Sequence, residues 1–347
     1  MSIRNAAKID KNFSLPTDVG KKDCAYYDAK MLDLYGVQYI DGLYRRMPYE
    51  TAKRVSEATA LISTESAGGR VRFVTDSPYI AISVKYRSVS KVPNYSFTAT
   101  LGFDLYSNHC YVGSFVPPFE TTDRLESVIE VASKGDLREY TINFPICSEV
   151  EALFIGAQKG CRIEKAPKYS IEPPIVLYGS SVTQGACASR PGNTYANILS
   201  RGLDCDYINL GFWGNALGEE EMAKYIAELP MSAFIYDYDY NAPSAEHLAT
   251  THERMFRIIR ERNPQLPIVI LSAPIYRAEK EFEKRLAVIK QTYQNALNRG
   301  DTLVRFINGT DIMQPIQDTA FADGVHPGDI GFACIAKHVG DALKELL

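Results

Sequence analysis

The sequence contains no long apolar run and no excess of positive charge. Its longest apolar stretches, such as residues 268–271, are far shorter than the roughly 20 residues that a membrane-spanning helix needs. Lys and Arg number 38 against 42 Asp and Glu, which gives a formal net charge of −4. Nucleic acids and anionic membranes favour basic patches, so neither is expected as a partner.

The sequence also lacks paired cysteines and an apolar leader. The seven cysteines are scattered, odd in number and form no Cys-x-x-Cys pair. Residues 1–16 carry several charges and no apolar core segment, so no secretory signal is expected. Reduced thiols and a cytoplasmic location are the simplest expectation, although a secreted form whose signal had been removed would look the same. The cysteines are Cys24, Cys110, Cys147, Cys161, Cys187, Cys205 and Cys334.

The length and composition suit two globular domains. The 347 residues exceed one ordinary domain, and 46% hydrophobic with 23% charged residues is typical of soluble globular proteins. Residues 165–174 carry three prolines and little apolar periodicity, which predicts a linker. We therefore expect one domain over residues 1–166 and a second over residues 175–347.

Short alternating segments separated by turn residues characterise the first domain. The clearest segment has Ile80, Ile82, Val84 and Tyr86 on one face. Several such strands, with no convincing long helix between them, predict an antiparallel, jelly-roll-like β-sandwich. One short helix is expected near residues 48–58. Further strands are predicted at residues 71–74, 95–105, 109–116, 125–132, 138–144 and 151–155, with turns at 76–78, 107–108, 117–118 and 134–136.

Tyrosines are frequent in the first 50 residues. Such side chains could line a sugar-binding surface, although aromatic residues in a sandwich more often lie in a core or an interface. They are Tyr26, Tyr27, Tyr35, Tyr39, Tyr44 and Tyr49.

Strand-like apolar segments alternate with amphipathic segments from residue 175 onward. The clearest helical stripe combines Phe282, Leu286, Ile289, Tyr293 and Leu297. This alternation predicts a parallel sheet covered by helices on both faces, a doubly wound α/β domain whose chemistry gathers beyond the C-terminal ends of the strands. Strands are predicted at residues 175–178, 207–210, 233–238, 268–271 and 304–307, and further helices at 217–229, 248–259 and 332–346.

The loop after the first of these strands offers a candidate nucleophile. Residues 179–185, Gly-Ser-Ser-Val-Thr-Gln-Gly, can expose Ser181 beside backbone N–H groups where the strand turns toward a helix. After the fifth strand, Asp323 and His326 lie three residues apart in a loop bounded by Gly and Pro. That spacing can turn both side chains to one side, so that Asp323 orients His326 toward the serine, as in a catalytic triad. A purely structural hydrogen-bonded pair is the simpler alternative.

Two further loops carry candidate donors for an oxyanion. The backbone N–H of Ser181 is a first donor, and Gly214, which has no Cβ, would let a second backbone N–H approach closely. Asn241 would add a side-chain N–H. Gly214 and Asn241 also suit ordinary turns. Ser181, Gly214 and Asn241 follow the ends of three successive predicted strands, and this order favours an acyl-transfer site.

Four of these segments resemble the four blocks of SGNH (GDSL-type) hydrolases. They are residues 179–185, residues 209–215 (Asn-Leu-Gly-Phe-Trp-Gly-Asn), residues 240–241 and residues 323–326. In the first domain, Gly-Phe-Asp-Leu-Tyr at 102–106 is similar to the Gly-x-Asp-Leu-Tyr signature of the β-domain that precedes one bacterial branch of these hydrolases.

The resemblance implies a three-layer α/β/α fold for the second domain. It implies Ser181 as the nucleophile and His326 as the base that Asp323 orients. It further implies Gly214 and Asn241 as oxyanion donors beside the Ser181 N–H.

The sequence departs from the usual blocks at two positions. Ser180 stands where the family usually has Asp, and Ala242 follows the oxyanion asparagine where Asp is usual. Two adjacent serines therefore compete as nucleophile. The spacing to Thr183 and Gly185 favours Ser181.

Three charged residues near these loops have more than one interpretation. Arg190 could bind substrate or shape the pocket rim, and a structural salt bridge is an equal alternative. Asp237 and Asp239 flank the end of the third strand and could suggest a glycosidase pair. Because a Ser/His/Asp set is present, supporting roles around the site are expected for both.

The function expected from these observations is a serine esterase that removes short acyl groups, acetyl above all, without a metal or organic cofactor. Similar two-domain members of the family include esterases that deacetylate plant polysaccharides, so the resemblance implies a small-molecule or oligosaccharide ester as substrate. A lipid or thioester acylhydrolase is the alternative within enzymes, although the sequence shows no apolar acyl groove. A carbohydrate-binding protein without activity is the alternative outside them. A homo-oligomer is compatible with the sequence.

Overall fold

The structure is a computed structural model that describes residues 8–11, 15, 18–131, 135–277 and 280–347. The predictions for residues 1–16, for the end of a strand at Ala132 and for the turn residue Lys134 fall wholly or partly outside these ranges.

Two antiparallel sheets form a β-sandwich in the first half of the chain. The strands of this half are β1 (Cys24–Asp28), β2 (Asp33–Tyr35), β3 (Gln38–Ile40), β4 (Leu43–Arg45), β5 (Arg70–Thr75), β6 (Tyr79–Ser88), β7 (Phe103–Ser107), β8 (Cys110–Phe115), β9 (Arg124–Glu130), β10 (Arg138–Asn143), β11 (Glu149–Gln158) and β12 (Ile163–Lys165). One sheet of the sandwich has the order β1-β11-β6-β9, and the other has the order β12-β5-β10-β7-β8 with β2 also beside β5. β3 and β4 pair with each other in a separate two-stranded sheet. Ile80, Ile82 and Val84 of β6 pack in the buried core with Phe73 of β5 and Ile142 of β10, which confirms the predicted sandwich.

Residues 95–105 do not form the predicted strand. A single helical turn, α3 (Phe97–Thr100), lies in their middle, and β7 starts only at Phe103. Two of the four helical residues are buried, and a short apolar stretch does not distinguish one buried helical turn from a strand. A Cβ on Gly102 would lie 2.7 Å from the Thr98 carbonyl oxygen, so this glycine permits the tight change from helix to strand.

The described part of the first 45 residues contains four strands that the sequence analysis did not predict. Their tyrosines divide between core and surface. Tyr44 is buried in the sandwich core, where its ring contacts Phe144 edge-on at 5.2 Å between centroids. Tyr26 and Tyr39 remain exposed.

The helix predicted near residues 48–58 is two helices. They are α1 (Tyr49–Val55) and α2 (Glu57–Ile62), and the helix is interrupted between them at Ser56, which has an extended backbone. The Ser56 hydroxyl accepts a hydrogen bond from the Thr59 N–H at 3.0 Å and so caps the second helix. Buried residues of both helices belong to the core of the parallel-sheet domain, so this part of the first half covers the second.

A five-stranded parallel sheet organises the second half. Its strands are β13 (Ile171–Gly179), β14 (Cys205–Gly211), β15 (Ala233–Asp237), β16 (Ile268–Leu271) and β17 (Val304–Ile307). Their order in the sheet is β14-β13-β15-β16-β17. The helices are α4 (Ser181–Gln184), α5 (Tyr195–Leu203), α6 (Glu220–Glu228), α7 (Ala245–Arg262), α8 (Lys280–Asn298), α9 (Gly309–Met313) and α10 (Asp329–Lys344).

Helices cover both faces of this sheet. Buried residues of α6, α7 and α8 share one core with one face of the sheet, and those of α5, α9 and α10 share another core with the opposite face. The arrangement confirms the predicted three-layer α/β/α fold. Among the described residues, no helix combines the length and the apolar character needed to cross a bilayer.

The predicted linker at residues 165–174 is partly sheet. β13 already begins at Ile171, which pairs with Cys205, and the register then shifts before Ile175. Proline lacks the N–H that a regular ladder uses, and an irregular stretch of ladder accommodates the two prolines that lie between these isoleucines.

Candidate active site

The turn between β13 and α4 presents Ser181. The strand ends at Gly179, and a Cβ on this residue would lie 1.7 Å from an Asp237 carboxylate oxygen, so only glycine fits there. Ser180 is fully buried and its hydroxyl accepts the Val182 N–H at 3.2 Å, which caps α4. Ser181, at the first position of the helix, is only half-buried, so of the two serines it is the one with a partly open hydroxyl.

Ser181, His326 and Asp323 form a continuous hydrogen-bonded chain. Ser181 Oγ lies 3.0 Å from His326 Nε2, and His326 Nδ1 lies 2.9 Å from Asp323 Oδ2. The other carboxylate oxygen accepts the backbone N–H of Val325 at 2.8 Å and that of His326 at 2.6 Å. The Asp-x-x-His spacing therefore lets one carboxylate hold both the loop and the imidazole.

The environment keeps Asp323 ionised. Burial alone would raise its pKa, but hydrogen bonds from the His326 backbone, from the His326 imidazole and from the Val325 N–H outweigh burial and lower the pKa to about 2. An ionised Asp323 fixes the imidazole with a proton on Nδ1, which leaves Nε2 free to accept a proton from Ser181.

The β-sandwich half supplies two residues to this group that the sequence did not reveal. Asn94 Nδ2 donates to Asp323 Oδ2 at 2.7 Å, and Tyr95 contacts the imidazole of His326 edge-on at 5.9 Å between centroids. Both belong to the loop between β6 and α3. No local motif marks them, because their position depends on how the sandwich meets the α/β domain.

Cys187 lies beside the same carboxylate, with its Sγ 3.9 Å from Asp323 Oδ2. Burial and the nearby negative charge of Asp323 raise the pKa of this thiol to about 12, so it stays protonated. Within the described part of the chain, Cys187, Asp323 and His326 are the one group of metal-binding residue types whose ligand atoms lie within 4.8 Å of one another. Asp323 and His326 already form a hydrogen bond with each other, so a metal ion here would displace the contact that orients the imidazole.

The loops after β14 and β15 are joined to the loop of Ser181. At the ends of the strands Gly179 pairs with both Gly211 and Asp237, so the three loops start side by side. Phe212 N–H donates to the Gly179 carbonyl at 2.8 Å, and Trp213 N–H donates to the side chain of Gln184 in α4 at 3.3 Å.

Gly214 and Asn241 are arranged around one carbonyl group. The Phe212 carbonyl accepts the Asn215 N–H at 2.8 Å, which closes a four-residue turn in which Gly214 has φ +72°, a value that favours glycine. The same carbonyl accepts Asn241 Nδ2 at 2.9 Å. This bond fixes the amide with its nitrogen toward the loop of Gly214 and leaves the second amide hydrogen for another acceptor.

The two aspartates at the end of β15 are buried within the protein. Asp237 binds the hydroxyls of Thr183 and Tyr195, and burial raises its pKa to about 8. Asp239 accepts the Ala273 N–H at 3.0 Å, and burial raises its pKa to about 6. Their contacts support the turn of Ser181 and the loop after β16.

Arg190 faces the sandwich. Its guanidinium lies 3.7 Å from Asp104 Oδ2 and stacks 4.0 Å from the centre of the Tyr111 ring. These contacts correspond to the structural alternative for this residue.

The Gly-x-Asp-Leu-Tyr segment forms part of the contact between the two halves. Asp104 is fully buried and accepts the Gly192 N–H at 2.7 Å from across the interface. A Cβ on Gly192 would lie 2.5 Å from the ring of Tyr106, so a residue with a side chain cannot fit without movement. The guanidinium of Arg201 lies 4.2 Å from the centre of the same ring.

Two family models match the chain. The model described as the GDSL-like lipase/acylhydrolase family matches residues 172–344, and the model described as the N-terminus of SGNH-hydrolase-type esterases, GxDLY, matches residues 24–163. Fold and family match together define a carboxylic ester hydrolase with a three-layer α/β/α catalytic fold. The chain belongs to the SGNH (GDSL-type) hydrolase family, with the GxDLY-type β-domain in front.

Solved structures share this fold over most of the chain. A Bacteroides ovatus protein described as a GDSL-like lipase is 26% identical, with a TM-score of 0.85 over 93% of this chain and 98% of its own. A salicylyl-acyltransferase from a tetracycline biosynthetic pathway is 19% identical, with a TM-score of 0.73 over 96% of each chain. A family two carbohydrate esterase from Clostridium thermocellum, solved with cellohexaose, is 14% identical, with a TM-score of 0.60 over 80% of this chain and 92% of its own. The comparison with curated protein sequences gave no match.

Proposed function

We propose that the protein is a serine esterase that hydrolyses short-chain acyl esters, acetyl esters above all, carried by small molecules or oligosaccharides. The observation that carries the proposal is the hydrogen-bonded chain from Ser181 through His326 to Asp323, next to the loops of Gly214 and Asn241. The carbohydrate esterase among the similar structures supports a sugar ester as substrate.

Acylation begins with the Ser181 hydroxyl. His326 Nε2 takes its proton as Ser181 Oγ attacks the ester carbonyl carbon, and the imidazolium that forms is stabilised by ionised Asp323. The negative charge that develops on the carbonyl oxygen is held by the N–H groups of Ser181 and Gly214 and by Asn241 Nδ2. His326 then gives its proton to the departing alcohol, and the acyl group remains on Ser181.

Deacylation repeats these roles with water. His326 takes a proton from a water molecule as the water oxygen attacks the acyl carbonyl. The same donors hold the second oxyanion, and Ser181 recovers its proton from His326 as the carboxylic acid leaves.

Hydrolysis of p-nitrophenyl acetate tests the proposal. The parent protein is expected to turn it over, and Ser181→Ala is expected to reduce kcat/KM by at least about 1,000-fold while circular dichroism and thermal unfolding stay unchanged. Ser180→Ala is the matched control, because Ser180 is a buried cap. Activity retained in Ser181→Ala would refute the assignment of the nucleophile.

Acyl-chain length separates this function from a lipid or thioester acylhydrolase. A short-chain esterase should lose kcat/KM steadily from the acetyl to the octanoyl ester of p-nitrophenol. A rise toward octanoyl would favour the acylhydrolase. A protein that folds but hydrolyses no ester would instead fit the carbohydrate-binding alternative.

A further inference from the structure

A cavity of about 330 Å³ lies against the loop of Gly214. Trp213 and Asn215, the neighbours of Gly214 in the chain, line it from the α/β domain, and α2 together with the ends of β6 and β11 line it from the sandwich half. Its size is within the range of about 300–1,000 Å³ that ligand pockets have. An acetyl group would fill only a small part of it, so the cavity suits the alcohol part of an ester.

Trp213 is exposed and at the same time held in place. The residue is 42% exposed, so part of the ring can be reached by a ligand. The indole Nε1 donates to Glu65 Oε2 at 3.1 Å. Leu61 of α2, 68% exposed, adds a second apolar group to the lining. A flat apolar surface fixed at one edge suits a rigid ring that stacks on it.

Glu65, which holds the indole, is itself firmly bound. It is buried, and its carboxylate also accepts a hydrogen bond from Gln184 of α4, three residues after Ser181. Burial raises its pKa to about 7, opposed by the charge of Arg46 and by the hydrogen bonds from Gln184 and Trp213. Trp213 is therefore tied through Glu65 and Gln184 to the helix that carries the nucleophile.

The other polar groups that line the cavity indicate which charge a bound ligand can carry. Glu149 contributes a carboxylate, and Ser88 and Ser90 contribute hydroxyls. None of the described residues that line the cavity is Lys or Arg. A carboxylate, phosphate or sulfate would meet negative charge without a cationic partner, whereas the hydroxyls of a neutral sugar find both acceptors and donors. A long acyl chain would place methylene groups against these polar groups, of which Glu149 Oε1 already accepts the Thr64 hydroxyl at 2.7 Å.

We infer that this cavity binds the neutral sugar ring of an O-acylated glycoside, with one face of the ring on Trp213 and its hydroxyls toward Glu149, Ser88 and Ser90. The inference rests on the proposed esterase function and gives it a substrate class: esters on uncharged sugars. The ester group of such a sugar then lies toward Gly214, next to Ser181.

Tryptophan fluorescence tests the inference directly, because Trp213 is the only tryptophan in the sequence. The full chain carrying Ser181→Ala is titrated with xylotriose, cellotriose, mannotriose and their acetylated forms. At least one neutral sugar should produce a saturable change in emission. Trigalacturonate, at the same ionic strength, should produce none. No response to any neutral sugar, or a response only to octanoate, benzoate or choline, would overturn the inference.

Two arginine variants locate the binding. Leu61→Arg places a long charged side chain in the cavity and should weaken sugar binding about tenfold or more. Leu297→Arg is the control, since Leu297 is another exposed leucine, in α8, that does not line this cavity, and its titration should equal that of the parent. Equal weakening by both variants would place the binding elsewhere.

The parent's hydrolysis of p-nitrophenyl acetate keeps the two claims apart. If the protein hydrolyses p-nitrophenyl acetate but neutral sugars do not change the Trp213 emission, the sugar site is refuted and the esterase function stands. If neutral sugars change the Trp213 emission but no ester is hydrolysed, the esterase function is refuted.

Discussion

At the scale of single residues, the two adjacent serines differ in their burial and hydrogen bonds. Ser180 is buried and its hydroxyl caps the start of α4, whereas the hydroxyl of Ser181 lies within hydrogen-bond distance of His326. The sequence could favour Ser181 because the block spacing is local. The sequence could not show that Asn94 donates to Asp323, since these residues meet only after the two halves have docked.

Ser180→Ala should therefore affect stability more than catalysis. Removing the cap is expected to lower the free energy of unfolding by about 0.5–2 kcal/mol, measured by urea denaturation. The kcat/KM for p-nitrophenyl acetate should fall by less than about tenfold, because the nucleophile and its base remain. A loss as large as that of Ser181→Ala would mean that Ser180 takes part in the chemistry.

Asn94 is expected to position Asp323. Asn94→Ala should reduce kcat by about tenfold with little change in KM, because one of the hydrogen bonds that hold the carboxylate is lost. Asn94→Asp should be worse, since a second carboxylate disfavours the ionised form of Asp323, and its activity should fall off at a higher pH than the parent's when the solution is acidified. Asn298→Ala, on the exposed end of α8, is the control. Unchanged kcat and pH profile in both Asn94 variants would contradict the role.

At the scale of elements, buried strands with plain apolar runs were predictable and mixed segments were not. β16 and β17 have the predicted bounds: β16 is four consecutive apolar residues, all buried, and β17 has three apolar residues with Arg305 between them. The strand predicted over residues 95–105 was wrong because the sequence of one buried helical turn resembles that of a strand. The linker predicted over residues 165–174 was partly wrong because their prolines obscured the start of β13. In both segments, tertiary packing determines the local structure.

The contact between Gly192 and Tyr106 makes the domain interface testable. Gly192→Ala should lower the free energy of unfolding by about 1–3 kcal/mol, because the new Cβ would meet the Tyr106 ring at 2.5 Å. Gly202→Ala in α5, where a Cβ meets nothing within 4 Å, should instead raise it by about 0.5–1 kcal/mol. Equal effects in urea denaturation would show that the interface tolerates the side chain.

At the scale of the whole molecule, the sandwich contributes to the candidate active site. It supplies Asn94 and Tyr95 to the Asp–His pair, most of the cavity beside Gly214, and the α1 and α2 cover of the parallel sheet. The order of domains was visible in the sequence, since periodicity changes from strand-like to alternating strand and helix near residue 170. Their docking was not, because it depends on buried partners such as Asp104 and Gly192 that are far apart in the chain.

Buried carboxyl groups predict how stability depends on pH. Burial raises the pKa of Asp237 to about 8, of Glu65 to about 7 and of Asp104 to about 6. The folded protein therefore holds protons that the unfolded chain has released, so these groups stabilise the fold fully below about pH 4 and lose this contribution as the pH rises through about 6 to 8.

The melting temperature should accordingly fall between pH 5 and pH 8, measured by calorimetry. Asp237→Asn, which keeps the shape and removes the titration, should reduce that fall. The outcome that contradicts this account is a melting temperature that rises over the same range, or a variant whose fall equals the parent's.

The central claim is that Ser181 is the nucleophile of an esterase, and covalent labelling tests it most directly. The protein is treated with p-nitrophenyl phosphonate ester, digested and analysed by mass spectrometry. The account predicts one phosphonyl group, on Ser181, formed in the parent and in Ser180→Ala and absent in Ser181→Ala and His326→Ala. Labelling of Ser180, or no labelling of the folded parent, would contradict it.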